Sequence, residues 1–277
     1  MVFQTYAPNP VLADYVRVHR LIHFNFSDSA TIPTKPYPPR PEHTLSFYPR
    51  DGETVHYQDR KENISNLRSA FVGQHNQVSF RHVGQHFLVL QVVLQPGALF
   101  RLTGISAQAL TNTYIDAESI FSNELRALNS RLSGVEVYLE MVVMIEDFLI
   151  QQVKKQRKEF HIIDDVNKLM LVRSTTMSVD KLASAACLSV KQFERKFIER
   201  VGLTPKYFSR IIRFERAYRT KNAQPFKDWL TIALECGYHD YQHLAKDYVE
   251  FTGQTPKAFH LLDMKAPERT FGTSDTF

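Results

Sequence analysis

Hydrophobic positions change period twice along the chain. Through the first hundred residues, apolar and aromatic side chains come in short runs at 21–26, 44–48, 54–57, 68–72, 77–82 and 86–94, separated by turn formers; Pro33, Pro36, Pro38, Pro39 and Pro41 crowd one loop. Runs of that length with that punctuation predict strands. Over 116–132 and 135–153 the spacing becomes helical, and in the second stretch Val135, Leu139, Val142, Ile145, Leu149 and Val153 share one broad face. That face is expected to lie on the sheet, although the same stripe would also serve to pair two subunits. A short polar run with Lys154, Lys155, Arg157 and Lys158 precedes a new periodic region from Ile162, and the domain boundary is expected there. The pattern predicts an α+β protein: a β-rich domain with packed helices over 1–155, an all-α domain over 156–264, and a flexible tail over 265–277.

Composition narrows the function. The chain has 277 residues, 34 Lys plus Arg against 29 Asp plus Glu, and 43% hydrophobic residues. It reads as a soluble protein. Two cysteines make no disulfide framework and no basic n-region with an apolar core opens the sequence, so the cytoplasm is the expected compartment. The most apolar stretch, 135–150, is interrupted by Glu136, Glu140, Glu146 and Asp147, which excludes it as a membrane span. The ten glycines include no Gly-x-Gly pair, so neither a dinucleotide fingerprint nor a Walker loop can be written, and Gly-x-Ser-x-Gly and His-Glu-x-x-His are absent too. No catalytic constellation and no cofactor are expected. Charge is uneven: residues 1–150 carry a net charge of −2 and residues 151–277 a net charge of +7. A basic half suits a polyanion, because each cation placed on a phosphate releases condensed counterions.

The basic half contains an internal repeat. With an offset of 51, residues 197–208 align with 248–259 at Glu199/Glu250, Gly202/Gly253, Thr204/Thr255, Pro205/Pro256, Lys206/Lys257 and Phe208/Phe259. The shared residues have physical roles: Gly ends one helix in the left-handed conformation, Thr caps the next, and Pro sits in its first turn. Upstream of the first break, Leu182, Ala183, Ala186, Cys187 and Leu188 lead to Ser189, which with Gln192 forms a capping box opening a helix over 190–201. Upstream of the second, Ile232, Ala233, Cys236 and Gly237 lead to Asp240, the expected cap of a helix over 241–252. Helix, tight turn and capped helix is a helix-turn-helix, here present twice. The intervening helix, 205–221, spans roughly 25 Å, against about 34 Å between successive major-groove faces on one side of a duplex.

These residues resemble the AraC/XylS transcriptional regulators over 162–262. The matching features are Ser189-x-x-x-Phe193-x-Arg195-x-Phe197, Gly202-x-Thr204-Pro205, Arg213-Phe214-x-x-Ala217, Ile232-Ala233-x-x-Cys236-Gly237-Tyr238 and Gly253-x-Thr255-Pro256. In the first domain Phe71-Val72-Gly73, Leu94-x-Pro96-Gly97-Ala98 and Leu102-Thr103-Gly104-Ile105 through Leu110-Thr111 resemble the sensor-type domain fused to some of these regulators. The resemblance implies a sequence-specific DNA-binding regulator, not an enzyme. Its expected partners are double-stranded DNA, RNA polymerase and an unknown small-molecule effector held by the N-terminal domain; no membrane partner is expected, and a homodimer is an assembly it allows. Effector binding would shift domain orientation or dimer arrangement. The rival reading is an enzyme acting on a small molecule through its N-terminal domain and tethered to DNA by the helical one; a third is a ligand-sensing module without DNA affinity.

Phe193 and Phe197, four apart, are expected to face the core and leave Lys191, Glu194 and Arg195 opposite, where the resemblance places base contacts. Arg195 suits guanine and Glu194 the cytosine amine. Residues 189–221 hold ten basic and three acidic side chains, and Ser189, Lys196, Lys206 and Arg210 are the expected phosphate contacts. The second motif departs from the family pattern. It has Leu244-x-Lys246-x-Tyr248 where Phe-x-Arg-x-Phe is usual, and 237–263 holds two basic and four acidic side chains. Tyr241, Gln242, His243 and Lys246 are its candidate base readers, while Asp247 and Glu250 would repel phosphate if they faced it. The first motif is therefore expected to read most of the sequence and the second to set register.

Other groups receive plainer readings. His75, His82 and His86 surround a turn but lack a Cys or adjacent carboxylate, so no metal is expected. Cys187 and Cys236 are expected as small buried packing in the two turns. The N-terminal aromatics, among them Phe24, Phe26, Tyr37 and Phe87, are expected to build an ordinary core, with a small-molecule pocket between sheet and helices as an option.

Overall fold

A computed structural model describes residues 1–27, 31–59, 63–172 and 177–272. Among the described residues, nine strands fall into two antiparallel sheets. The larger has the order β1 (Val2–Tyr6), β2 (Val16–Asn25), β8 (His86–Leu94), β4 (Thr44–Phe47), β6 (Ser69–Val72), β9 (Tyr114–Asp116). The smaller has the order β3 (Lys35–Tyr37), β7 (Ser79–Val83), β5 (Glu53–His56). The larger sheet is sandwiched. One face meets α1 (Ala98–Thr103), α2 (Glu118–Leu132) and α3 (Tyr138–Lys154), burying Leu88, Leu90, Val92 and Leu94 of β8 against Leu125, Met141, Ile145 and Leu149. The other face meets the small sheet, burying Phe87 and Val89 with Phe24, Val55, Tyr57 and Tyr114. Covered on both sides, β8 shows a near-continuous apolar run instead of alternation. Three strands were not foreseen: β1, β9 and β3. Pro36 disguised β3, which pairs only with β7 and so lies at an edge, where a missing N–H is tolerated.

Residues 155–161 lead to seven helices: α4 (Ile162–Val172), α5 (Val179–Ala185), α6 (Val190–Val201), α7 (Pro205–Ala223), α8 (Trp229–Glu235), α9 (Tyr241–Thr252) and α10 (Pro256–Asp263). They form two small cores. Phe193, Phe197, Phe208 and Leu182 gather with Ile163 and Val166 around the first motif. Phe214, Tyr218, Tyr248, Phe251 and Phe259 gather around the second, joined by Val78 of the N-terminal domain. At 19 residues α7 is about 28 Å long and contributes to both cores.

The expected tail is structured at its start. Pro267–Phe271 forms a 3₁₀ turn whose Phe271 ring stacks on Phe24, with centroids 5.7 Å apart, because the edge of the inter-sheet core offers it an apolar seat. Residues 273–277 lie outside the described residues. Among the described residues no helix is long and apolar enough to cross a membrane.

Candidate nucleic-acid interface

Every helix boundary of the two motifs is set by the residue the sequence supplies for it. Ser189 accepts from the Gln192 N–H at 3.3 Å while the Gln192 side chain returns to the Ser189 N–H, a complete capping box. Gly202 and Gly253 close α6 and α9 at φ +95° and +71°. Thr204 and Thr255 cap α7 and α10, each followed by Pro in the first turn. Asp240 accepts from the His243 N–H at 2.7 Å and so starts α9.

On α6, Phe193 and Phe197 are fully buried, their rings 5.7 Å apart. Lys191 and Arg195 stand exposed on the opposite side, with Glu194 and Lys196 half-buried. Among the described residues, Lys191, Arg195 and Lys196 take part in no ion pair. Lys206, at the start of α7, is exposed as well. The Ser189 hydroxyl and its backbone N–H are both engaged in the capping box, so neither is a spare donor toward a phosphate.

The second motif is built differently. Gln242 and Lys246 are exposed, and Tyr241 is half-buried against the second core. Asp247 is buried, and its carboxylate accepts from Arg210 at 2.8 and 3.1 Å, from Arg213 at 3.1 Å and from the Tyr238 hydroxyl at 3.1 Å. Glu250 binds the same Arg210, at 3.0 Å through Nη1. Hydrogen bonds to Glu250 and Asp247 raise the Arg210 pKa, and the bond from Arg210 lowers that of Glu250. Neither acid is a bare charge facing outward, and Arg210 braces α7 to α9. His243 accepts from Arg213 Nη2 at 3.1 Å, so this ring nitrogen carries a lone pair; burial and Arg213 together lower its pKa. The His243 ring is therefore biased toward its neutral form.

Lys206, Arg210, Arg213 and Lys246 line one groove between α5, α7 and α9, about 1670 Å³ counting the space open to solvent. Sequence reasoning missed three features. In the sequence Arg213 reads only as a motif residue and Asp247 only as a liability. The third is the buried pair of Asp164 and Arg200, at 2.8 and 2.9 Å, which fastens α6 to α4. The signal for Asp247 lay in the repeat itself, where Asp247 aligns with Lys196: a change of charge at one register position implies a change of partner.

The minor readings resolve as follows. Cys236 is buried as expected, but Cys187 is exposed at φ +53°, because it occupies the left-handed position that Gly237 fills in the second turn. His75 stacks on Tyr57 and His82 lies beside His56 and Thr34, and among the described residues no group of three metal-binding side chains converges.

Taken together these features define a class: an α+β protein whose C-terminal domain carries two braced helix-turn-helix motifs. Residues 182–260 match a family model described as a helix-turn-helix domain, and residues 4–116 match one described as a domain of unknown function (DUF6597). The C-terminal domain belongs to the helix-turn-helix family of AraC type. The chain is similar to the HTH-type transcriptional regulator ArgR of Pseudomonas aeruginosa, 31% identical over 81 residues, or 29% of this chain; the match spans 24% of that relative's length. Among solved structures, ToxT from Vibrio cholerae aligns at 10% identity over 95% of this chain and 99% of its own, with a TM-score of 0.49. An AraC-type regulator from Chromobacterium violaceum aligns at 25% identity over 36% of this chain and 90% of its own, with a TM-score of 0.33.

Proposed function

We propose that this protein is a sequence-specific DNA-binding transcriptional regulator whose N-terminal domain receives a small-molecule effector and whose work involves no covalent chemistry. The observation that carries the reading is the asymmetry between equivalent helices. On α6, Lys191, Arg195 and Lys196 take part in no ion pair among the described residues and lie beside an apolar stripe, whereas on α9 Asp247, which aligns with Lys196, is bound with Glu250 to α7. Arg195, with Lys191 and Glu194, reads base edges; Gln242 and Lys246 add contacts in the neighbouring groove, beside Tyr241 and the neutral His243. Lys196 and Lys206 hold phosphates. Arg210 serves phosphate only as the outer edge of a cluster whose charge Asp247 and Glu250 largely cancel. RNA polymerase and a second copy of the chain are the partners this work calls for.

Selection from a randomised duplex pool with the full-length chain supplies the test. One sequence class should be enriched. Against it, Arg195→Ala should lose about 1–3 kcal/mol, roughly 5- to 150-fold in Kd, with relaxed specificity at one base pair. Lys246→Ala should lose less and flatten the salt dependence. No enrichment, or a larger loss from Lys246→Ala, contradicts the reading.

A further inference from the structure

Lys246 lines the groove between α5, α7 and α9, and the 51-residue repeat puts it in the register of Arg195 on α6. In the regulator reading that groove therefore opens toward the duplex. The linker helix sends Arg210 into it, and both edges of the guanidinium are already engaged. One edge meets Asp247, where Nε and Nη2 donate to the same carboxylate oxygen at 3.1 and 2.8 Å. The end of the fork meets Glu250 as a two-pronged pair, Nη1 to Oε1 at 3.0 Å and Nη2 to Oε2.

The two acids differ in what else holds them. Asp247 has a side chain only 3% exposed and also accepts from Arg213 and the Tyr238 hydroxyl, so it belongs to the packing of α9 on α7. Glu250 is 43% exposed, and among the described residues its ion pair is with Arg210 alone. Arg210 is steadied from the sides as well, 5.3 Å from the centroids of the Tyr207 and Phe251 rings. The cation thus keeps its place whichever anion it serves, and Glu250 needs only to turn into solvent to give its place up. A carboxylate set end-on against Nη1 and Nη2 presents two oxygens where a DNA phosphate would present two. The first motif has no such pair: Glu199, the repeat partner of Glu250, takes part in no ion pair among the described residues.

We propose that Glu250 is an internal stand-in for phosphate, which keeps Arg210 out of sequence-independent DNA binding and so weakens the grip of the second motif on any duplex. Sequence-independent affinity comes almost wholly from phosphate contacts, each contributing about 0.9 to the log–log salt slope. Holding one contact back lowers the affinity for the many competing sites and leaves the base reading of α6 to decide where the chain stops. The inference deepens the regulator reading given above and rests on it for the identity of the polyanion. The competition between Glu250 and an outside anion for Arg210 applies to any polyanion.

The test uses the full-length chain, a random-sequence duplex and, separately, heparin as a polyanion without bases. Glu250→Gln keeps the shape of the side chain and removes the competing charge. It should bind the duplex about five- to ten-fold more tightly than wild type at about 0.1 M salt, with a salt slope steeper by about 0.9. Glu199→Gln makes the same change of charge with no arginine opposite, and should gain less than about two-fold. Adding Arg210→Gln to Glu250→Gln should return affinity and slope to those of wild type; should that double variant unfold, the comparison of Glu250→Gln with Glu199→Gln decides alone. From heparin, Glu250→Gln should elute at higher salt than wild type and Glu199→Gln together with wild type. No gain from Glu250→Gln, equal gains from the two glutamate variants, or a folded double variant that binds more weakly than wild type would overturn the proposal. Failure of the regulator reading shows separately, as a chain that enriches no sequence, and leaves the heparin elution order to decide the role of Glu250.

Discussion

At Cys187 the backbone turns left-handed, φ +53°, at the position that Gly237 takes at +83° in the second motif. A side chain there costs about 1–2 kcal/mol relative to right-handed backbone. A Cβ added at Gly237 would meet nothing within 4 Å, so substituting it tests the backbone term alone. Gly237→Ala should destabilise by about 1 kcal/mol in urea melts, and Cys187→Gly should be neutral or stabilising by a fraction of that. A neutral Gly237→Ala would mean that the turn is not strained. Arg195 illustrates the opposite case, a residue whose side of the helix is legible in the sequence. Its spacing from Phe193 and Phe197 settles its side of the helix, and the absence of an ion pair to Glu194 or Glu199 leaves its guanidinium available.

At the scale of elements, α6 and α9 occupy the same place in their repeats but are secured by different chemistry. Helix α6 is tied back through Arg200 and Asp164, and α9 through Asp247 to Arg210 and Arg213. Removing Asp247 takes one acceptor from each of two arginines, leaving Arg210 to Glu250 and Arg213 to His243, and takes from the Tyr238 hydroxyl the acceptor it uses. Asp247→Ala should therefore cost about 3 kcal/mol, the low end of the range for breaking a buried pair, since Arg210 stays partly exposed. Loss of less than 1 kcal/mol in a chemical melt would show that the brace is ornamental. Helices α6, α7 and α9 were readable to within two residues, because caps, left-handed glycines and Pro in a first turn are local signals. β1, β3 and β9 were not. They are short, and what makes them strands is pairing with β2, β7 and β6, which lie 10 to more than 40 residues away in sequence. The Arg210–Asp247–Arg213 cluster was hidden for the same reason: both arginines lie more than 30 residues from Asp247, and packing of α9 on α7 joins them.

At the scale of the whole molecule, both Gly-x-Thr-Pro turns lie against the N-terminal domain. A Cβ at Gly202 would come within 2.9 Å of the Ala107 carbonyl, and the Gly202 carbonyl accepts from Thr111; Gly253 lies beside Gln58. His43 sits in the same seam, beside Val201 at the end of α6. Burial pushes its imidazole down to about 4, outweighing a hydrogen bond with the Val201 backbone that favours the charged form. A base whose folded value lies below its unfolded one of about 6.5 takes up protons on unfolding as the pH falls. The stability it contributes is complete above about pH 6.5 and is lost between there and about 4. Melts of wild type at pH 7 and pH 5 should differ more than those of His43→Gln; equal differences would remove His43 from the account. Seen whole, the N-terminal domain touches each motif separately, through Ala107 and Thr111 at the first and Gln58 at the second.

In the proposed function α6 and α9 enter successive major grooves from one face of a duplex. Hydroxyl-radical footprinting of the full-length protein on its selected sequence should show two protected patches centred about 10 base pairs apart on the same side, with Arg195→Ala erasing detail in one patch only. A single patch, protection wrapped around both faces, or no protection at all would contradict it.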